Sequence, residues 1–208
     1  MADNTLNMVS PVTAETFAKL NFNAGMLLAN FDYSAATDAA SLMELIVSEE
    51  VQRNSWLGAT RGGINVRENR GNWEPGMDGK RMSFVGAKQF DNADPRISGT
   101  LLEYSPRNVQ LVSGAADVTT SGQVDTVQPR ATIKVSDYLT NVVFVGNIGP
   151  EGLYLVELKN AMCVTGMNSQ STDKDVGTLP FEFAGHSASP VFTDELPIVY
   201  KFFGVSAG

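Results

Sequence analysis

The sequence predicts a mainly β protein, a β-sandwich or half-barrel with one or two short helices, and three observations support this. Short apolar runs alternate with turn residues along most of the 208 residues. The chain contains 19 glycines and 9 prolines, which suit many strands joined by turns. Only two segments have the residue spacing of a helix. We therefore expect one domain over 1–208, with an N-terminal arm at 1–20 and a long loop at 113–130.

The order of the elements follows from the spacing of apolar residues. A helix is expected from about 39 to 50, because Leu42, Met43 and Ile46 fall on one helical face, with Thr37 or Asp38 as its N-cap. A second helix is expected to begin at Ser105-Pro106 and to end at Gly114. Strands are expected at 21–32, 62–69, 80–89, 96–104, 131–135, 141–145, 153–158, 162–167, 179–186 and 198–205.

The charge balance is acidic, with 15 basic and 23 acidic side chains and a formal net charge of −8. A basic patch is the usual mark of a protein that grips nucleic acid, so the total argues against that class. Acidity would suit a surface past which DNA must slide. The same charge would also simply keep a soluble protein in solution.

Catalytic and metal-binding chemistry find little support in the residue types. Cys163 is the only cysteine and His186 the only histidine, so neither an intrachain disulfide nor a zinc site of three or four nitrogen and sulfur ligands is possible. We expect Cys163 to be buried and inert, His186 to be structural, and the acidic cluster at 173–175 to be a solvated turn. No catalytic residue, cofactor or metal is predicted.

Targeting segments are also not expected. The first residues lack the basic and apolar regions of a secretory signal, and the longest apolar runs fall far short of the ~20 residues of a membrane span. The sequence therefore predicts a protein made in a bacterial cytoplasm that does not interact with a membrane.

Gly62 and Gly63 follow Arg61 just before a predicted strand. They do not belong to a phosphate-binding loop motif, so we predict that they serve backbone geometry, through a positive φ or a close approach of another chain. The phenylalanines of the predicted strands are interpreted as core or sheet residues rather than base-stacking platforms; they are Phe22, Phe31, Phe84, Phe90, Phe181 and Phe183.

Several segments together resemble the major tail tube proteins of long-tailed bacteriophages. The first is Asn23-Ala24-Gly25-Met26-Leu27-Leu28-Ala29-Asn30-Phe31-Asp32, and the second is Leu57-Gly58-Ala59-Thr60-Arg61-Gly62-Gly63-Ile64-Asn65-Val66. A third extends from Asp78 to Pro106 and includes Ser98-Gly99-Thr100-Leu101-Leu102-Glu103-Tyr104. Leu179-Pro180-Phe181-Glu182-Phe183 and Pro197-Ile198 also fit. The segment 34–56 is longer than the resemblance leads us to expect.

The resemblance implies a structural virion protein of the phage tail. Six subunits would form a ring, each giving strands to a continuous inner β-barrel. The hexameric rings would stack into a tube around a tape-measure protein, end at a tail terminator protein, and let DNA pass without specific binding. Removing open sheet edges by closing a barrel is consistent with this arrangement. The arm at 1–20 and the loop at 113–130 would then be stacking elements.

Two sets of residues follow from this expectation. Val118, Val124 and Val127 are the few apolar residues of the 113–130 loop, and we expect them to anchor that loop on a neighbouring ring. Residues of the 62–70 and 80–90 strands would line the lumen, with Asn65, Arg67 and Lys88 as examples.

Other classes of protein stay open at this point. One is a different virion β protein, such as a contractile-tail tube, a tail terminator or a decoration protein. Another is a soluble β-sandwich that binds carbohydrate or peptide, for which exposed aromatics such as Trp56 and Trp73 would serve. An enzyme of undetected type is the third.

Overall fold

The computed structural model describes residues 19–79, 81–149, 152–171, 173–189 and 195–204, which form a mainly β, antiparallel structure. The helices are α1 (Ala39–Val47), α2 (Glu49–Asn54) and α3 (Pro106–Ser113), with a 3-10 turn at Val135–Asp137. The strands are β1 (Asn21–Ala29), β2 (Asn65–Trp73), β3 (Gln89–Leu101), β4 (Ala116–Ser121), β5 (Val124–Pro129), β6 (Leu139–Ile148), β7 (Gly152–Cys163), β8 (Leu179–Ala184) and β9 (Ile198–Phe203).

Seven of the nine described strands form two layers that share β7, and β4 and β5 form a separate two-stranded sheet. Sheet A has the order β1-β6-β7-β9, and sheet B has the order β2-β3-β8. β7 pairs with β6 along most of its length and with β9 over 153–158, and its last two residues, Met162 and Cys163, pair with β8. The long strand β7 therefore passes from one sheet into the other and joins the layers into a sandwich.

Sheet A is covered on both of its faces. One face packs against sheet B and α3 through residues such as Phe144, Leu158 and Phe183. The other face packs under α1 through Val143, Leu155 and other apolar side chains. Two-sided burial explains why β6 is buried at six successive positions, 141–146, and why its residues 142–145 are all apolar instead of alternating with polar ones.

The segment between β1 and β2 supplies the helical cover of sheet A. Asp38 caps α1 by accepting from the backbone N–H of Ser41 at 2.8 Å, which confirms the predicted N-cap. The predicted helix breaks at Ser48, whose hydroxyl caps α2. Trp56 is half-buried, and its indole N–H donates to the carbonyl of Ile46 at 3.1 Å. The 34–56 segment thus has a structural role, and Trp56 is a packing residue.

The second predicted helix is confirmed as α3. The Ser105 hydroxyl accepts from the N–H of Asn108 at 3.0 Å, Pro106 occupies the first turn, and Gly114 ends the helix with φ 76°. The amide of Asn108, which is buried, donates to the carbonyls of Leu57 and Glu103. α3 is thereby fixed against the connection that enters sheet B.

Two predicted strands are wrong. Of the strand predicted at 80–89, residues 81–88 form no strand, because Gly79 and Gly86 adopt positive φ and interrupt the extended backbone. Lys80 lies outside the described residues. Residues 131–135 are not a strand either. Asp137 accepts from the N–H of Lys134 at 2.7 Å, and this bond favours the 3-10 turn.

One long strand, β7, replaces the two strands predicted at 153–158 and 162–167. The polar pair Lys159-Asn160 suggested a break, but Lys159 stays paired with Asn141 and donates its N–H to the carbonyl of Pro197 at 2.9 Å. The backbone therefore remains hydrogen-bonded through the polar residues.

The predicted long loop at 113–130 is instead a β-hairpin. β4 and β5 pair with each other over their whole length around a turn at Gly122. The Ser- and Thr-rich composition that predicted a loop is compatible with strands that are exposed at most of their positions. The predicted arm at 1–20 lies outside the described residues except for its last two.

Candidate assembly surface

The β2–β3 hairpin extends beyond the body of the protein. The pairing of β3 with β8 ends at Arg96 opposite Ala184, and the N–H of Gly185 donates to the carbonyl of Pro95 at 3.0 Å. Beyond this point, from Glu68 to Asp94, the two strands pair only with each other. We call residues 68–94 the projecting hairpin.

The end of the projecting hairpin carries large apolar side chains exposed to solvent. Met82 is 81% exposed and Trp73 is 54% exposed. We call the set the hairpin tip; it consists of Trp73, Met77, Met82, Phe84, Val85 and Phe90. Several large apolar side chains exposed at one end of a hairpin mark an interaction site more often than single exposed residues do. Neither Phe84 nor Phe90 is a core residue, because the hairpin that carries them leaves the core. Phe90 is a sheet residue of β3, as the sequence predicts, whereas for Phe84, which lies in no strand, the interpretation as a core or sheet residue is wrong.

Paired charges stabilise the root of the projecting hairpin. Arg67 and Arg96 lie directly opposite each other on β2 and β3, and Glu182 of β8 accepts from both guanidinium groups. Arg96 also donates to both carboxylate oxygens of Asp94 at 2.8 Å, which lowers the pKa of Asp94 below its ordinary value. The two cations are thus neutralised by two carboxylates where the hairpin leaves sheet B.

The outer face of sheet B, the face turned away from sheet A, is polar. Its residues include Asn65, Arg67, Asp94, Arg96, Ser98, Thr100 and Glu182. Two of the predicted lumen residues, Asn65 and Arg67, lie on this face. Lys88 does not, because it precedes β3 and belongs to the connection at the end of the projecting hairpin.

Gly62 and Gly63 form the turn that leads into β2. Their φ angles are 81° and 82°, in the left-handed region where a β-branched side chain is strained. No described atom lies within 4 Å of where a Cβ would stand at either position. The sequence predicts either a positive φ or a close approach of another chain segment at these glycines. Within the subunit, the positive φ is observed and the close approach is not.

The three valines of the predicted loop occupy different places on the β4–β5 hairpin. Val118 and Val127 lie opposite each other and are half-buried, whereas Val124 is exposed beside the turn. The base of this hairpin is tied to the body by Arg130, which pairs with Asp117 and Asp137. Of the three valines, only Val124 has a largely exposed side chain that contact with a neighbouring subunit would bury.

The residues considered for catalysis have structural contacts. The His186 ring nitrogen Nδ1 lies 3.0 Å from the carbonyl oxygen of Asn160, and its ring packs edge-on against Tyr138. Cys163 is buried as predicted, and its Sγ lies 3.3 Å from the hydroxyl of Thr165. Among the described residues, no three His, Cys, Asp or Glu side chains are grouped to hold a metal ion.

Asp175 of the acidic cluster forms a solvent-exposed ion pair with Arg61 at 2.9 Å. This pair lowers the pKa of Asp175 below its ordinary value. None of the helices that the structure describes has the length and apolar character needed to cross a membrane.

The chain has no match among known families. No model of a protein family matches it, and no curated protein sequence does so either. The resemblance to tail tube proteins therefore rests on the residue segments quoted above.

Sequence reasoning missed the hairpin tip. The signal available was the apolar residues set among Pro75-Gly76 and Asp78-Gly79, a combination that does not suit a core strand. That the side chains are exposed follows only from the length of β2 and β3 relative to β8, which the sequence does not specify.

Proposed function

We propose that this protein is the structural subunit of a phage tail tube, which assembles into hexameric rings that stack around a channel for DNA. The observation that carries the proposal is the projecting hairpin with its apolar tip. The side chains of the tip are exposed within one subunit, and exposed Trp, Met and Val side chains are stabilised by burial against another protein.

Open strand edges support ring formation. In the described part of the chain, β2 and β9 each pair with one neighbouring strand, so each offers a line of backbone donors and acceptors to a further strand. Open edges are a hazard for a monomer, and an assembly that pairs them removes the hazard. A ring of copies that pair edge to edge would do this for every subunit.

The outer face of sheet B suits the channel. Sheet A is covered on both faces, by sheet B and by α1, so it cannot supply a channel wall without losing part of its core. The outer face of sheet B is polar, and its arginines are already paired with carboxylates. A wall of paired charges has no free cation with which to hold passing phosphates.

The proposal is tested by comparing the natural protein with a polar-tip variant, Met82→Ser with Val85→Ser. Sedimentation velocity across a concentration series should show the natural protein as rings and larger assemblies. The variant should stay small, with the unfolding midpoint unchanged because both side chains are exposed. A natural protein that sediments as a monomer at every concentration and binds immobilised glycans would instead indicate a soluble binding sandwich.

A further inference from the structure

A cavity of about 240 Å³ lies beside α3, at the end of the sandwich where β7 pairs with β8. Arg107, Gln110 and Leu111 line it from α3, and their spacing of three and four residues places them on one face of that helix. Buried residues at the ends of β7 and β8 also line it. The cavity is smaller than the ~300–1,000 Å³ of pockets that take drug-sized ligands, so it suits a small molecule or ion.

Arg107 brings a positive charge to this cavity, and it forms no ion pair with any residue that the structure describes. Its half-buried guanidinium donates to the carbonyl of Trp56 at 3.1 Å. Burial lowers the pKa of Arg107 below its ordinary value, and no neighbouring carboxylate offsets this effect. A partly desolvated cation of this kind is stabilised when an anion binds beside it.

The carboxylate that also lines the cavity, Asp137, is already neutralised. Arg130 donates to it, and the backbone N–H of Lys134 donates to it at 2.7 Å. Burial raises the pKa of Asp137, but these two bonds outweigh burial and lower it below its ordinary value. Arg130 and Lys134 together balance Asp117 and Asp137, so the unbalanced charge at the cavity is that of Arg107.

Asn30 and Ser136 add neutral hydrogen-bonding groups to the same cavity. The side-chain oxygen of Asn30 accepts from the N–H of Thr140 at 2.8 Å, which leaves the amide nitrogen as the donor. Neither this nitrogen nor the Ser136 hydroxyl has a partner within the described part of the chain. Guanidinium, amide and hydroxyl groups are donors that bind the oxygens of carboxylates and phosphates.

We propose that this cavity binds a small oxyanion, a carboxylate or a phosphate, with Arg107 as its principal ligand. The site lies within one subunit, so the proposal does not depend on the proposed tube. Ala116, at the start of β4, and Ser136, after the end of β5, both line the cavity. A bound oxyanion would therefore join α3 to the base of the β4–β5 hairpin and hold the two together.

Thermal unfolding of the full-length protein tests the site, with inorganic phosphate and acetate as probes and sodium chloride of equal ionic strength as the reference. At a probe concentration tenfold above its Kd, Tm should rise by about 3–6 °C. Phosphate also stabilises proteins through its exclusion from their surface, so the decisive quantity is the shift that Arg107→Gln loses. Arg53→Gln removes an exposed cation from α2 and should keep the whole shift.

Hydrogen exchange of the natural protein gives a readout that needs no variant. With a probe tenfold above its Kd, the amides of 107–117 and 135–140 should exchange up to about tenfold more slowly than in sodium chloride. The amides of β2, which does not line the cavity, should exchange at an unchanged rate.

The two probes also distinguish the source of the oxyanion. A shift with phosphate alone or with acetate alone supports the site and identifies which oxyanion it takes. Equal Tm values in both probes and in chloride, a shift that persists in Arg107→Gln, or slower exchange confined to other segments would overturn the proposal. If Arg107→Gln does not fold, Arg107→Lys, which keeps the charge without the planar fork, should bind the probe more weakly than the natural protein, and equal binding would count against Arg107.

Discussion

Removing the carboxylate of Glu182 should destabilise the folded subunit measurably. Glu182 is 17% exposed and accepts from Arg67 and Arg96, which lie directly opposite each other on neighbouring strands. Without it, Arg67 loses its carboxylate partner and repels Arg96 across the strand pair. Breaking a buried ion pair costs ~3–5 kcal/mol and an exposed one ~0–1 kcal/mol. Because both arginines are partly exposed, we expect about 2 kcal/mol for Glu182→Ala.

Urea unfolding of the dissociated subunit measures this effect. If the free energy of unfolding falls by roughly 2 kcal/mol per molar urea, the urea midpoint of Glu182→Ala should be about 1 M lower than that of the natural protein. The Tm should fall by about 4–8 °C. Glu182→Gln keeps a hydrogen-bond acceptor and should lose less. Asp175→Ala breaks a more exposed ion pair with Arg61 and should leave the midpoint unchanged. Equal midpoints for Glu182→Ala and Asp175→Ala would refute the reasoning about the hairpin root.

Three further predictions concern the glycine turn, a buried phenol and the β4–β5 hairpin. Gly62→Val or Gly63→Val should lower the free energy of unfolding, measured in urea, by about 1–2 kcal/mol, because both glycines have positive φ. Gly76 does not have positive φ, so Gly76→Val should lower the free energy of unfolding by less. Equal losses at the three positions would contradict the argument from backbone conformation. Burial and donation to Glu157 at 2.6 Å raise the pKa of Tyr33, so absorbance titration should find its phenol neutral above pH ~10, and folded-state stability should fall as pH rises further. A Tyr33→Phe variant should therefore show the same absorbance titration near pH ~10 as the natural protein, and a variant with one fewer phenol ionising there would disprove this. Replacing 118–127 with a Gly-Ser turn should keep the unfolding midpoint and lower the tube yield, since those strands pair only with each other; unchanged tubes would show that stacking does not use them.

Much of the fold could be predicted because helix caps and apolar runs in the sequence form the same elements in the folded structure. Asp38 and Ser105 are N-caps that bond within their own turn, so their role does not depend on the rest of the molecule. The apolar runs of β6 and β7 predicted buried strands, although whether one or two strands formed at 153–167 depended on the distant partners Asn141 and Pro197.

The candidate site was less predictable because exposure is a tertiary property. The alternation of Met82, Phe84 and Gly86 is compatible with a half-buried strand, and nothing in the residue types shows that no sheet lies beneath it. The same difficulty affected 113–130, where a polar strand pair has the composition of a loop. Both wrong predictions, at 80–89 and at 113–130, concern segments that extend away from the body of the protein. The spacing of apolar residues predicts structure where one face of a segment is buried, and these segments bury few side chains.

The most direct test of the central claim is electron microscopy of the purified, full-length natural protein at increasing concentration. The account predicts hollow rings with sixfold symmetry that stack into tubes around an open channel. Monodisperse particles of a single subunit at every concentration, or closed dimers without a channel, would contradict it.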